Sequence, residues 1–150
     1  VSFHPVNLYD YMPEVKLSIA ALADANFSCT LYLEPDLPTV ELDPQLIKQA
    51  LLNLIKNAYE AMEKHGTIHL VVTSTAEFVQ LHVIDHGGGL DPALGNTIYQ
   101  PFITTKTGGS GLGLAITKQI MESHHGTLTC ESRKGDGCTF TLTLPRTQAP

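Results

Sequence analysis

The sequence predicts an α+β fold, a two-layer sandwich in which a mixed, mostly antiparallel sheet of about five strands packs on three helices. Three observations carry that expectation. Between Asp43 and Lys64 apolar residues recur at helical spacing, so that Leu46, Ile47, Ala50, Leu51, Leu54, Ile55, Ala58, Ala61 and Met62 form one wide arc. Five short segments, beginning near Ser28, Ile68, Phe78, Thr127 and Cys138, read as strands bounded by turn residues. Two glycine-rich turns, Asp85-His86-Gly87-Gly88-Gly89-Leu90 and Gly109-Ser110-Gly111-Leu112-Gly113-Leu114, bracket a polar stretch. Glycine lets a backbone come close to a ligand, which suits a nucleotide-binding loop.

In chain order, Asn7 can cap a helix over roughly residues 8–25, with Pro13 expected to kink or restart it. Ser28 to Glu34 alternates apolar and polar residues as a strand does, and Pro35 ends it. Asp43-Pro44 is a helix start, a cap followed by proline at the first helical position, and Gly66 is the stop after about Lys64. Ile68 to Thr73 and Phe78 to Ile84 make an antiparallel hairpin through Ser74 to Glu77. Residues 91–111 lack periodicity and are rich in Gly, Pro and Thr, the composition of a long functional loop. A third helix runs from about Gly111 to Ser123, so its N–H groups and dipole face an anion at the second glycine turn. Thr127 to Ser132 and Cys138 to Leu144 form a last hairpin around Lys134-Gly135-Asp136-Gly137, and residues 146–150 are a tail.

The 150 residues suit a single domain, and no internal repeat or low-complexity linker divides them. A net charge of -6 argues against broad nucleic-acid binding, which needs a basic face, but not against a nucleotide. Three cysteines, Cys29, Cys130 and Cys138, are an odd number with no CxxC or metal-ligand spacing, so reduced thiols are expected. No signal peptide or long apolar span is visible. The first residue is Val1, so the expectation is a soluble, monomeric piece of a longer protein.

On the second helix, a turn of about 100° per residue places Asn57 between Leu46 and Ala50, inside the apolar arc. Asn53 lies beside it one turn earlier, with Gln49 and Glu60 along the polar edge. A buried amide without a partner costs roughly 1–3 kcal/mol. An internal hydrogen bond to backbone answers that need for a lone asparagine. Two asparagines four residues apart favour a bound cation or phosphate, since an amide oxygen is a good hard-cation ligand.

Asn53-Leu54-Ile55-Lys56-Asn57-Ala58, Asp85-His86-Gly87-Gly88-Gly89, Tyr99-Gln100-Pro101-Phe102 and Gly109-Ser110-Gly111-Leu112-Gly113 together resemble the N, G1, F and G2 boxes of sensor histidine kinases, in their catalytic ATP-binding domain. The resemblance spans essentially the whole chain, from Phe3 to Leu8 through Gly135-Asp136-Gly137-Cys138-Thr139-Phe140. It implies the Bergerat ATP-binding fold, with ATP and Mg²⁺ as cofactors. Asn57 would coordinate Mg²⁺ and Asn53 would support it, the two being the catalytic residues. Asp85 would accept a hydrogen bond from the adenine amino group, and Gly87 and Gly89 would let the chain pass close to the base. Thr104, Thr105 and Lys106 would approach the phosphates from a lid over residues 91–111. Gly109, Ser110, Gly111, Leu112 and Gly113 would present backbone N–H groups to phosphate, and Thr139 would sit near the adenine, through a water. The phosphoacceptor histidine would lie on a helical dimerisation domain outside this chain, with a response regulator downstream and a cytoplasmic location.

Three departures stand out. Glu60 replaces a basic residue common three positions after the Asn57 equivalent, Tyr99 replaces Phe, and His124-His125-Gly126 replaces a His-Gly-Gly turn. In the hydrolysing relatives a Glu occupies the Asn53 position and activates water. Asn cannot act as a base near neutral pH, which fits transfer to another acceptor.

Other readings are weaker. His86-Gly87-Gly88-Gly89 matches an esterase oxyanion motif, but Gly108-Gly109-Ser110-Gly111-Leu112 lacks the final glycine of a nucleophile elbow. No G-x-x-x-x-G-K-[ST] occurs. His82 and His86 do not converge from a strand end, so a structural role is preferred to a metal site. A nucleotide-binding regulatory module of a degenerate kinase, and a serine kinase of the anti-sigma type, remain as alternatives on the same fold.

Overall fold

The structure, a computed structural model, describes residues 1–21, 27–61, 66–85, 112–133 and 137–148. Helix α1 (Leu8–Ala20) starts at Asn7, whose side chain accepts from the Tyr9 N–H at 2.9 Å. It continues through Pro13 without restarting there, and it ends at Ala20, earlier than the sequence suggested. The buried stripe explains the continuity: Leu8 and Met12 before the proline share one face with Val15 and Ile19 after it. Tyr11 in the same helix donates its hydroxyl to the Pro44 carbonyl at 2.7 Å, tying α1 to the next helix of the chain.

The main sheet contains β2 (Phe27–Leu33), β4 (Gly66–Ser74), β5 (Phe78–Asp85), β6 (Thr127–Arg133) and β7 (Gly137–Pro145), in the order β2-β4-β5-β7-β6. Only β2 and β4 are parallel; the crossover between them carries α2 (Pro44–Ala61). The other pairs are antiparallel, so the expected mixed sheet is the one observed. Gly66 opens β4 with φ at 118°, a value that suits glycine; the expected end of α2 near Lys64 lies outside the described residues. A second, two-stranded ribbon was not foreseen: β1 (His4–Val6) pairs antiparallel with β3 (Val40–Leu42), His4 opposite Leu42. Three-residue strands are too short to leave a readable alternation.

Alternate strand residues face the helices and form the core. Ile68, Leu70, Val72, Val79, Leu81, Val83, Phe140, Leu142 and Leu144 are buried against Ile47, Leu51, Leu54 and Ile55 of α2 and Met121 of α3 (Leu112–Ser123). The opposite face is a polar lattice. His82 Nε2 and Nδ1 reach the Thr73 and Thr141 hydroxyls at 3.1 and 3.0 Å, and His69 reaches Thr30 at 2.6 Å. Burial lowers the pKa of His82, so the ring is neutral in this lattice, the structural role preferred from sequence.

Helix α3 ends at Ser123; beyond it His125 takes a positive φ of 58°, and the Gly126 N–H closes the turn on the Met121 carbonyl at 2.8 Å. The segment after β7 is no loose tail. The Arg146 carbonyl accepts from the Glu41 N–H at 3.0 Å, and the Gln148 side chain donates to the His124 carbonyl at 2.8 Å. Among the described residues no helix is long and apolar enough to cross a membrane.

Candidate functional site

Helix α2 is set by Asp43. One carboxylate oxygen accepts from the Gln45 and Leu46 N–H groups at 3.0 and 3.1 Å, and the other accepts from the Ser2 N–H at 2.9 Å. Burial works against ionisation here, but the three backbone donors outweigh it and hold the carboxyl below its ordinary range. The Asp43 N–H donates to His124 Nε2 at 3.0 Å. That bond fixes the tautomer: Nδ1 must carry the proton, which it gives to the Ile120 carbonyl at 2.8 Å. The ring is fully buried and meets Phe3 edge-on, centroids 5.3 Å apart. This knot fixes the start of α2 against the end of α3.

From that anchor α2 runs with Ile47, Ala50, Leu51, Leu54, Ile55 and Ala58 buried, the arc expected from the sequence, while Leu46 is only half-buried. Asn53 and Asn57 are both half-buried, on the border of the arc, and Glu60 continues that border. The first turn of α3 lies directly over Asn53. A Cβ placed on Gly113 would stand 3.9 Å from Asn53 Cβ and 4.0 Å from its Cγ. The first turn of α3 is thereby set against the amide edge of α2. Buried Thr117 steadies that turn by donating its hydroxyl to the Gly113 carbonyl at 2.8 Å.

Asp85 is the last residue of β5 and is 2% exposed. It shares the helix-facing side of the strand with Val79, Leu81 and Val83. Strand β5 packs beneath α2, so the carboxylate opens into the same layer as the two asparagines. A carboxylate in that position is an acceptor-only group at the end of an apolar strand.

The neighbour of Asp85 on β7 is Cys138, its Cα partner. Thr139, expected near the base, is paired instead with Ile84 and lies on the other face of the sheet. The two-residue repeat of a strand makes this an either/or choice: Cys138 stays with Phe140, Leu142 and Leu144 on the buried side, and Thr139 turns away. The sequence signal was present in the alternation of those apolar residues. Gly87, Gly89, Thr104, Thr105, Lys106, Gly109, Ser110 and Gly111, with the lid assigned to 91–111, lie outside the described residues. Leu112 is the first residue of α3.

The described part of the site thus has an acceptor at one strand end, two amides on a helix border and a helix N-terminus over one of them. Such an arrangement suits a ligand with an N–H-donating ring at one end and an anion at the other. The amide oxygens and the N-terminus fit a hard cation arriving with phosphate; among the described residues, no group of three or more His, Cys, Asp or Glu could hold a metal unaided.

Residues 42–148 match the family described as histidine kinase-, DNA gyrase B-, and HSP90-like ATPase. Sensor histidine kinase ZraS of Escherichia coli K12 is 41% identical over 109 residues, which are 73% of this chain and 23% of that protein. Sporulation kinase A of Bacillus subtilis is 36% identical over 143 residues, 94% of this chain and 23% of its own. The nucleotide-free catalytic domain of histidine kinase ThkA superposes with a TM-score of 0.86 at 30% identity, covering 99% of this chain and 100% of that one. Full-length ShkA in complex with AMPPNP gives 0.87 at 25% identity, covering 100% of this chain and 32% of that one. The chain spans about a quarter of the length of the sequence relatives it matches.

Proposed function

The chain belongs to the family of histidine kinase-, DNA gyrase B- and HSP90-like ATPases, and on that premise we propose that it is the catalytic ATP-binding domain of a sensor histidine kinase. The observation that carries the reading is the seat of α3 on Asn53, with buried Asp85 opening into the same layer. Asp85 accepts from the adenine amino group and selects it over guanine, which presents a carbonyl there. The N-terminus of α3 receives phosphate, and Asn57, supported by Asn53, supplies an amide oxygen to Mg²⁺. Mg²⁺ bound with the triphosphate supplies charge neutralisation. The protein's own contribution is to orient the γ-phosphate for in-line attack by an imidazole on a separate helical domain. With amides and no carboxylate at positions 53 and 57, α2 offers no general base for water there, which favours transfer over hydrolysis. A response regulator would take the phosphoryl group onward, and the work would be done in the cytoplasm.

Calorimetric titration of ATP and GTP, with and without Mg²⁺, tests the reading. The expected result is adenine-selective binding, micromolar to sub-millimolar, that changes with Mg²⁺. Equal affinity for the two nucleotides removes Asp85 from the role given to it, and no binding to either overturns the proposal. Radiolabelled ATP should leave no acid-labile phosphate on this chain alone, because its seven histidines are not the acceptor.

A further inference from the structure

The β6–β7 hairpin holds two thiols that the transfer chemistry does not use. Cys130 pairs with Phe140 and Cys138 with Ser132, so the cysteines are diagonal neighbours on adjacent strands. Their sulfurs are 3.0 Å apart, and both thiols are free. A disulfide bond is about 2.0 Å long, so closure asks for a movement of roughly 1 Å. Across the sheet, Cys138 on β7 stands between Asp85 on β5, its Cα partner, and Cys130 on β6, its diagonal neighbour, with Cys138 buried and Cys130 half-buried.

We propose that Cys130 and Cys138 are a peroxide-oxidisable dithiol in the floor of the nucleotide site, closing to a disulfide when the site is empty. The placement in that floor rests on the reading of Asp85 as the adenine acceptor. Either thiol can donate across this contact; with Cys138 as the donor, the bond lowers the pKa of Cys130 against burial and the carboxylates of Asp85 and Glu131. The same bond, with burial, raises that of Cys138. Cys130, half-buried where Cys138 is buried, is the thiol that peroxide reaches and so the attacking thiolate, with Cys138 the resolving thiol. The Cys130 sulfur attacks one oxygen of hydrogen peroxide, the O–O bond breaks, and a sulfenic acid and hydroxide result. The Cys138 sulfur then attacks the Cys130 sulfur; the S–O bond breaks, and the hydroxyl leaves with the Cys138 proton as water. Counting the proton that Cys130 gave up, two thiols lose two electrons and one peroxide becomes two waters. Cys29 is the internal control: burial raises its pKa, and Lys16 offsets this only in part.

The test treats the reduced protein with hydrogen peroxide, empty or saturated with Mg·ATP, and follows thiol titre and peptide mass. In the empty protein the titre should fall from three to one, with a linked Cys130–Cys138 peptide lighter by two hydrogens and restored by dithiothreitol. Bound nucleotide should slow the reaction several-fold. Cys138→Ser should give a Cys130 sulfenic acid and no link. An unchanged titre, or sulfinic acid without the link, overturns the dithiol; equal rates with nucleotide bound overturn its place in the floor. Titration of ATP into the reduced protein beforehand separates the two readings. Absence of binding there sinks the kinase reading alone, while oxidation of the empty protein still decides the thiol pair.

Discussion

At one end of the α2–α3 pair, both carboxylate oxygens of Asp43 and both ring nitrogens of His124 are bonded to the protein itself. At the other end, about 15 Å away by helix rise, the same two helices bring Gly113 against Asn53. Both ends are built from short polar residues and helix termini. They differ in what completes them. The Asp43–His124 end is satisfied internally, whereas on the proposed function the Asn53–Gly113 end is completed by a ligand. Changes at the first end should therefore cost stability and spare affinity, and changes near the second should do the reverse.

The sharpest test of that division is Gly126→Ala. A Cβ there would stand 2.2 Å from the Thr143 carbonyl oxygen and 3.0 Å from the Met121 methyl, so strand β7 or the end of α3 must move. The expected loss is about 3 kcal/mol in urea unfolding, with nucleotide affinity of the folded protein within twofold of the parent. A large loss of affinity at unchanged stability would break the comparison. Asp85→Asn is the converse. It sets a donor against the adenine amino donor, and calorimetry should show at least tenfold weaker ATP binding, about 1.4 kcal/mol or more, with little change in unfolding midpoint.

Acid sharpens the contrast further. Burial lowers the His124 pKa from 6.5, outweighing the Ile120 carbonyl and the Asp43 carboxylate, which favour the cation. The unfolded chain then binds more protons than the native one between the lowered value and 6.5. Stability from this residue is complete above 6.5 and declines as pH falls below it, because protonated Nε2 would face the Asp43 N–H donor. Denaturation midpoints at a series of pH values should show that slope in the parent and lose it in His124→Gln. The smallest effect is expected at His125→Gly. It relieves a left-handed backbone and gives up an exposed 2.9 Å hydrogen bond to Gln148, for a gain of about 0.5 kcal/mol. Destabilisation on thermal melting would mean that the Gln148 contact outweighs the strain.

Much of the fold was legible in the chain of residues alone. Asp43-Pro44 announced α2, and the arc from Ile47 to Ala58 fixed its buried face, because both are local and periodic. Asp85 could be placed at a strand end for the same reason. Which residue of β7 stands beside Asp85 was less legible, Cys138 being its partner and Thr139 lying on the other face, since cross-strand register is set by the partners as well as by the strand's own letters. The Asp43–His124 knot was invisible for a different reason. Its members Ser2, Asp43 and His124 are 41 and 81 positions apart, and no single segment carries their pattern. The ribbon of β1 and β3 joins equally short pieces that are also distant in the chain.

The position of Asp85 opposite Cys138 also orders events as the chain folds. The β4–β5 and β6–β7 hairpins are local, with Ser74 and Val79 five positions apart and Arg133 and Gly137 four. Joining them means bringing Asp85 to Cys138 over 53 positions, the closure that loop entropy penalises most heavily among these three. The acceptor and its neighbour meet only across that joint. On the proposed role of Asp85, a partly folded chain with both hairpins made and the joint open has no place for the base, so competence to bind would arrive together with completion of the sheet.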